Sequence, residues 1–219
     1  MMLVMLKYDE YNPEVKQKNL QEPAMGHSQA DKAKNRDRIL AEAATQIREE
    51  GLESLSVNKL MQSVNLTHGG FYGHFASRSE LVAHALERAL VDGEGTARAA
   101  SNGRPRSFAT MVRSYLSRTH RDSRSSGCAI SALVSDVGRA DERARSVMSA
   151  HIEDYISALA RALGKDDDTQ ALVAISALVG ALAISRVMTD PKRSDAILRA
   201  VRDHLSAMPG EGESPGNLD

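Results

Sequence analysis

From Gln29 to Leu205 the apolar residues return every three or four positions and nowhere alternate, a pattern that helices satisfy and strands do not. The composition agrees: aromatics are 4% and Trp is absent, while Ala, Leu, Arg and Ser are abundant. With 42% hydrophobic residues in 219, the chain can bury a core. The expected fold class is therefore all-α.

Turn residues divide this pattern into segments. Ile39, Leu40, Ala43, Ala44 and Ile47 face one side of a first helix that begins near Gln29 and stops at Gly51. Ser56 is placed to cap a short second helix with Val57, Leu60, Met61 and Val64 on its buried face. Asn65 tolerates the left-handed conformation that a tight turn needs, and Thr67 is placed to cap a third helix. Ser77-Arg78-Ser79-Glu80 reads as a capping box for a fourth, carrying Leu81, Val82, Ala85, Leu86 and Leu90. Asp92-Gly93-Glu94-Gly95 is expected to weaken or end that helix, and Asn102-Gly103-Arg104-Pro105 reads as a loop.

Further on, Phe108, Met111, Val112, Tyr115 and Leu116 predict an amphipathic helix, followed by a polar loop over 121–127 and a mildly apolar helix over 128–137. Met148, Ile152, Tyr155, Ile156, Leu159 and Leu163 line a long helix ending at Gly164. Asp166, Asp167 and Asp168 suit the start of the next helix. Residues 172–188 are apolar almost all round, which calls for cover on two sides. Pro191 opens a last helix carrying Ile197, Leu198, Val201 and Leu205. Residues 1–26 read as a flexible arm, with Met25 an alternative start, and 209–219 as a disordered tail.

Two short helices joined by a tight turn within a small bundle make a helix-turn-helix, whose second helix enters the major groove. Here that helix begins Thr67-His68-Gly69-Gly70, where small residues allow close approach and Thr67 and His68 offer hydrogen-bonding groups. Tyr72 and His74 follow, Ser56 opens the preceding helix, and Lys32 and Arg36 lie in the first. Net charge gives no help: it is -1 overall, and residues 27–90 hold eight basic and eight acidic side chains. Any attraction to nucleic acid must be positional. Phe71 and Phe75 read as core. His68 and His74 lack a nearby third ligand, so no metal and no cofactor are expected.

The run Ile39-Leu40-Ala41-Glu42-Ala43-Ala44, then Gly51-Leu52, then Leu66-Thr67-His68-Gly69-Gly70-Phe71-Tyr72-Gly73-His74-Phe75-Ala76-Ser77-Arg78 closely resembles the N-terminal domain of TetR-family regulators. The resemblance departs at Asn65, where Gly is usual, and at Arg78, where Lys is frequent. It implies a DNA-binding domain over 27–92 with its motif at about 56–75, and a regulatory and dimerisation bundle over 93–208. It also implies contacts to operator DNA from Lys32, Arg36, Ser56, Thr67, His68, Gly69, Gly70, Tyr72, His74 and Arg78. The last two helices are implied to form a homodimer, for which Leu178, Ala181, Leu182, Leu198 and Val201 are the expected interface.

Ser126-Gly127-Cys128-Ala129, with Leu133 and Arg143-Ala144-Arg145-Ser146-Val147-Met148, resembles a branch of the family. That branch includes the repressor of the N-ethylmaleimide reductase operon, in which a cysteine after Gly senses electrophiles. Cys128 is the single cysteine, which excludes an intrachain disulfide and fits a reducing cytoplasm. At a helix start, with Arg121 and Arg124 near in sequence, it suits a reactive thiolate. It equally suits inert packing. If the signal is a small molecule instead, Phe108, Met111, Tyr115, Met148, Ile152 and Tyr155 are the expected pocket lining. Two rival classes are a thiol enzyme pairing Cys128 with His120 or His151, and a sequence-blind architectural DNA protein, which near-neutral charge disfavours. The apolar stretch over 169–185 is 17 residues, short for a comfortable membrane span, and no membrane partner is expected.

Overall fold

The structure, a computed structural model, describes residues 29–99, 106–164 and 168–208. The expected arm, the 102–105 loop, Asp166, Asp167 and the tail from Pro209 lie outside the described residues.

Among the described residues the chain is helical, with no strand. Helix α1 (Gln29–Glu50) stops at Gly51, whose φ of +86° only glycine adopts without strain. A 3-10 turn (Leu52–Ser54) leads to α2 (Val57–Ser63). Ser56 holds the N-cap position of α2, but its side chain makes no cap bond. Asn65 turns the chain at φ +57°, as its tolerance of that region predicts. Thr67 caps the third segment through Gly70 N–H at 3.3 Å. That segment, His68–Gly73, is a 3-10 rather than an α-helix. Three of its six residues are glycine, the weakest helix former after proline, and nothing in the run favours the longer α-helical ladder.

Ser77 Oγ accepts from Glu80 N–H at 3.1 Å, and Glu80 Oε2 reaches back to Ala76 N–H at 2.7 Å, a capping box displaced by one residue. Helix α3 (Arg78–Ala99) then runs unbroken through Gly93 and Gly95, where a break was expected. Gly93 packs against the loop before α6: a Cβ there would make ordinary contacts, 3.7 Å from the Gly127 carbonyl and 3.9 Å from Cys128 Cα.

The second half comprises α4 (Phe108–Tyr115), short α5 (Arg118–Asp122) inside the expected loop, α6 (Ala129–Val137), α7 (Glu142–Leu163), α8 (Thr169–Val187) and α9 (Pro191–Ser206). Gly164 ends α7 in the left-handed region, and Asp190 caps α9 through Lys192 N–H. Helix α8 has the length and hydropathy of a membrane span, yet Ala174, Leu178, Ala181 and Leu182 are buried within this chain.

Two apolar cores result. The first joins α1, α2, the 3-10 turn and α3 to α6 and the first turns of α7. Phe71 and Phe75 are 2% exposed in it, as expected of core residues; each burial stabilises by about 1.5–3 kcal/mol. The second joins α4, α8, α9 and the later turns of α7. Cys128, Ile152, Tyr155 and Val179 touch both cores.

Candidate nucleic-acid interface and cysteine junction

The His68–Gly73 segment turns one ring inward. Phe71 is buried while Thr67, His68, Gly69 and Tyr72 are exposed, Tyr72 at 68%. A Cβ on Gly69 or Gly73 would meet nothing, so this backbone faces open space. Gly70 instead faces inward, 3.7 Å from Met61. Tyr72 is fixed edge-on against Phe71 and His68, with centroids at 5.2 and 6.4 Å. At about 2.0 Å rise per residue the segment spans roughly 12 Å, the width of a DNA major groove.

The remaining expected interface residues differ in freedom. Lys32 is exposed on α1. Arg36 lies over the Phe75 ring, 4.9 Å from its centroid, so its guanidinium is already oriented beside the exposed segment. Ser56 and His74 are half-buried. Arg78 is exposed but engaged within the chain: it donates to the Leu52 carbonyl at 3.1 Å and the Leu55 carbonyl at 3.2 Å, and pairs with Glu53. Its planar fork ties α3 to the 52–55 turn.

The cysteine junction lies where the two cores meet. Cys128 is half-buried at the N-cap of α6, the helix start expected from the sequence. Its Sγ accepts from Tyr115 Oη–H at 3.2 Å. Its N–H donates to His120 Nε2 at 3.0 Å, so the His120 proton sits on Nδ1 and donates to the Tyr115 carbonyl at 2.7 Å. Burial holds His120 below its ordinary pKa, against the Tyr115 carbonyl bond, and Arg186 adds to the lowering. His120 is thus a neutral bridge whose basic nitrogen is occupied by a main-chain N–H, which disfavours it as a base for Sγ. Burial also pushes the Tyr115 hydroxyl well above its usual range, with the neighbouring thiol contributing.

The arginines expected to act on the thiol are directed elsewhere. Arg121 is held by Asp122, Asp195 and Ser194. The cation at the junction is Arg186, at the end of α8: its Nη2 would stand 3.2 Å from a Cβ on Gly127. The sequence did carry a signal for it, since Arg186 is the single charge in α8.

Arg48 links this junction to α1. Its side chain is 4% exposed, donates to the Ser125 and Ala89 carbonyls, and lies 3.9 Å from Asp92. Asp136, near the other end of α6, accepts from Leu52 N–H at 3.2 Å. The turn before α6, through Ser125, and the end of α6, through Asp136, are therefore both attached to the N-terminal bundle.

The expected pocket lining is divided between the two cores. Phe108, Tyr115 and Met148 are buried, Met148 in the first core and the other two in the second. Met111, Ile152 and Tyr155 are packed against these cores, with Tyr155 stacked on Tyr115 at 6.2 Å. A cleft of about 300 Å³ opens instead beside Arg121, Arg124 and Arg186.

The expected dimer residues also need correction. Leu178, Leu182, Ala181 and Leu198 are 0%, 0%, 5% and 2% exposed in the single chain, consumed by its own core, and Val201 packs partly against it. The less buried side of α8 carries exposed Val173, Ile184 and Val187 with half-buried Ala177 and Gly180 between them, spaced by four, three, four and three. A Cβ on Gly180 would meet nothing.

Residues 39–85 match the family model of bacterial regulatory proteins, tetR family. No curated protein matches the sequence. The fold is shared with solved regulators. Escherichia coli NemR in its reduced form superposes with a TM-score of 0.66 at 20% identity, over 80% of this chain and 98% of that one. A TetR-family transcriptional regulator from Cytophaga hutchinsonii gives 0.67 at 18% identity, over 83% and 98%. The multidrug binding protein EbrR, complexed with proflavin, gives 0.54 at 19% identity, over 78% and 99%.

Proposed function

We propose that this chain, a TetR-family regulator with a helix-turn-helix DNA-binding domain, is a homodimeric cytoplasmic repressor released from its operator by a chemical signal. The observation that carries the DNA reading is the capped, outward-facing Thr67–Tyr72 segment, rigid on its buried Phe71 and open at Gly69. Thr67, His68 and Gly69 approach the base edges, and Gly70 seats the segment on Met61 behind them. Tyr72, His74, Ser56, Lys32 and Arg36 face the flanking phosphates. The homodimer forms through the open stripe of α8, which places two heads on one face of a duplex.

The signal enters at Cys128. Modification of Sγ breaks the Tyr115 bond and adds bulk where the two cores meet. With one cysteine per chain the product is a sulfenic acid, an adduct or an intermolecular disulfide. The NemR structure described as a reduced form is in keeping with a thiol signal, and the EbrR complex with a small-molecule one.

A footprint on the DNA upstream of the gene tests the first part. His68→Ala should lose about 1–3 kcal/mol of specific affinity, and Tyr72→Phe should weaken binding across sequences by less. Unchanged affinity in both folded variants removes the assigned segment. For the second part, Cys128→Ser should stay bound under an electrophile that releases the wild type. Equal release of both makes the thiol packing.

A further inference from the structure

The cleft between α5, α8 and α9 has an uneven charge balance. Its walls include Arg121, Asp122, Arg124, Arg186 and Ser194, around about 300 Å³, which is the size of a small organic ligand rather than a single inorganic ion. Arg121 is spent on Asp122, Asp195 and Ser194, and Arg118 on Asp195. Among the described residues no carboxylate lies within ion-pair distance of Arg124 or Arg186.

Arg186 is the more telling of the two. It is half-buried and donates to three neutral oxygens: the Arg121 carbonyl at 3.1 Å, Ser131 Oγ at 3.2 Å and the His120 carbonyl at 3.2 Å. A guanidinium has five N–H groups, so two remain beyond these bonds. Arg124 is exposed at the rim, and its described bond, to the Arg186 carbonyl, is a weak one at 3.5 Å. A partly desolvated cation without a counter-ion is costly, and a bound anion with good geometry offsets that cost. Burial correspondingly lowers the Arg186 pKa and Arg124 adds to the lowering, which the thiol, the Tyr115 hydroxyl and the more distant Asp122 only partly counter.

We propose that this cleft binds a small organic dianion, a dicarboxylate or a phosphate monoester, gripped by Arg186 at its floor and Arg124 at its rim. The inference deepens the effector reading above and rests on it only for the consequence on DNA. That consequence follows from the other partners of Arg186. The His120 carbonyl and Ser131 Oγ flank Cys128, so an anion on the two remaining N–H groups that draws the guanidinium toward the cleft lengthens these bonds and loosens the same junction that thiol modification disturbs.

Isothermal calorimetry on the full chain at low salt tests the site, with glutarate and glycerol 3-phosphate as probes and glycerol as the neutral control. At least one dianion should bind and glycerol should not. Arg124→Ala, an exposed change that leaves the core intact, should weaken binding about tenfold, and Arg124→Lys should recover part of it. Heat from glutarate alone identifies a carboxylate ligand, and heat from glycerol 3-phosphate alone a phosphate ester. Absence of binding by both, or equal binding by wild type and Arg124→Ala, overturns the site. A mobility shift on the upstream duplex separates the two readings. A chain that binds the duplex but neither dianion loses this inference alone, and one that binds a dianion but no duplex loses the DNA reading alone.

Discussion

Replacing Arg48 with alanine should show how strongly the N-terminal bundle is held to the cysteine junction. The side chain is 4% exposed and gives charge-assisted bonds to the Ser125 and Ala89 carbonyls. Such bonds contribute about 1.5–3 kcal/mol each, reduced because the removed cation no longer pays for desolvation. Asp92 is not stranded, since Arg88 Nε still holds it at 2.8 Å. The net loss is therefore about 2–4 kcal/mol. For a domain of this size that lowers Tm by roughly 4–16 °C. Thermal and urea unfolding followed by far-ultraviolet circular dichroism measure it. Arg48→Met keeps the aliphatic stem and should recover only part of the loss. Stability within about 0.5 kcal/mol of wild type for Arg48→Ala, or full recovery by Met, would show that the polar link contributes nothing.

Three further outcomes follow from the same geometry. Ile184→Glu on the open face of α8 should yield a folded monomer by sedimentation, whereas Leu178→Glu, 0% exposed in the chain, should unfold it; the reverse pattern would refute the face assignment. Gly127→Ala would put Cβ 2.5 Å from the Ser123 carbonyl oxygen, so it should cost about 1–3 kcal/mol in unfolding experiments. Asp141 accepts from the Ser79 hydroxyl and the Ala144 N–H, which hold its carboxyl below the usual range. Its folded-state pKa lies below the unfolded value. Its contribution is thus complete above about pH 4 and disappears as the pH falls through the lowered pKa. Asp141→Asn should flatten that part of the urea-midpoint profile.

Local chemistry was readable in the sequence. Thr67, Asn65, Gly51 and Gly164 act at the positions their backbone preferences indicate, because a turn or cap is decided within four residues. Phe71 and Phe75 were legible from their large apolar rings alone. What depends on distant partners was not. Arg48 reads as an ordinary helix charge until the Ser125 carbonyl, 77 positions away, meets it. Helix α8 has no polar face, so periodicity does not say which side its own core takes, and Leu178 and Leu182 were placed outside when they belong inside. Gly93 and Gly95 carry the composition of a helix end, yet packing along α3 overrides a propensity cost of about 1 kcal/mol each.

The continuity of α3 also has a mechanical meaning. Its 22 residues form a rod roughly 33 Å long, rooted in the N-terminal bundle and passing Gly127-Cys128 at Gly93. A hinge at Gly93 would have absorbed a disturbance at the cysteine. An unbroken rod works as a lever. A tilt of about 5° at one end displaces the other by roughly 3 Å, close to the axial rise of one DNA base pair. Under the function proposed above, two such levers in a dimer would let a side-chain-sized event put the heads out of step with successive turns of the duplex.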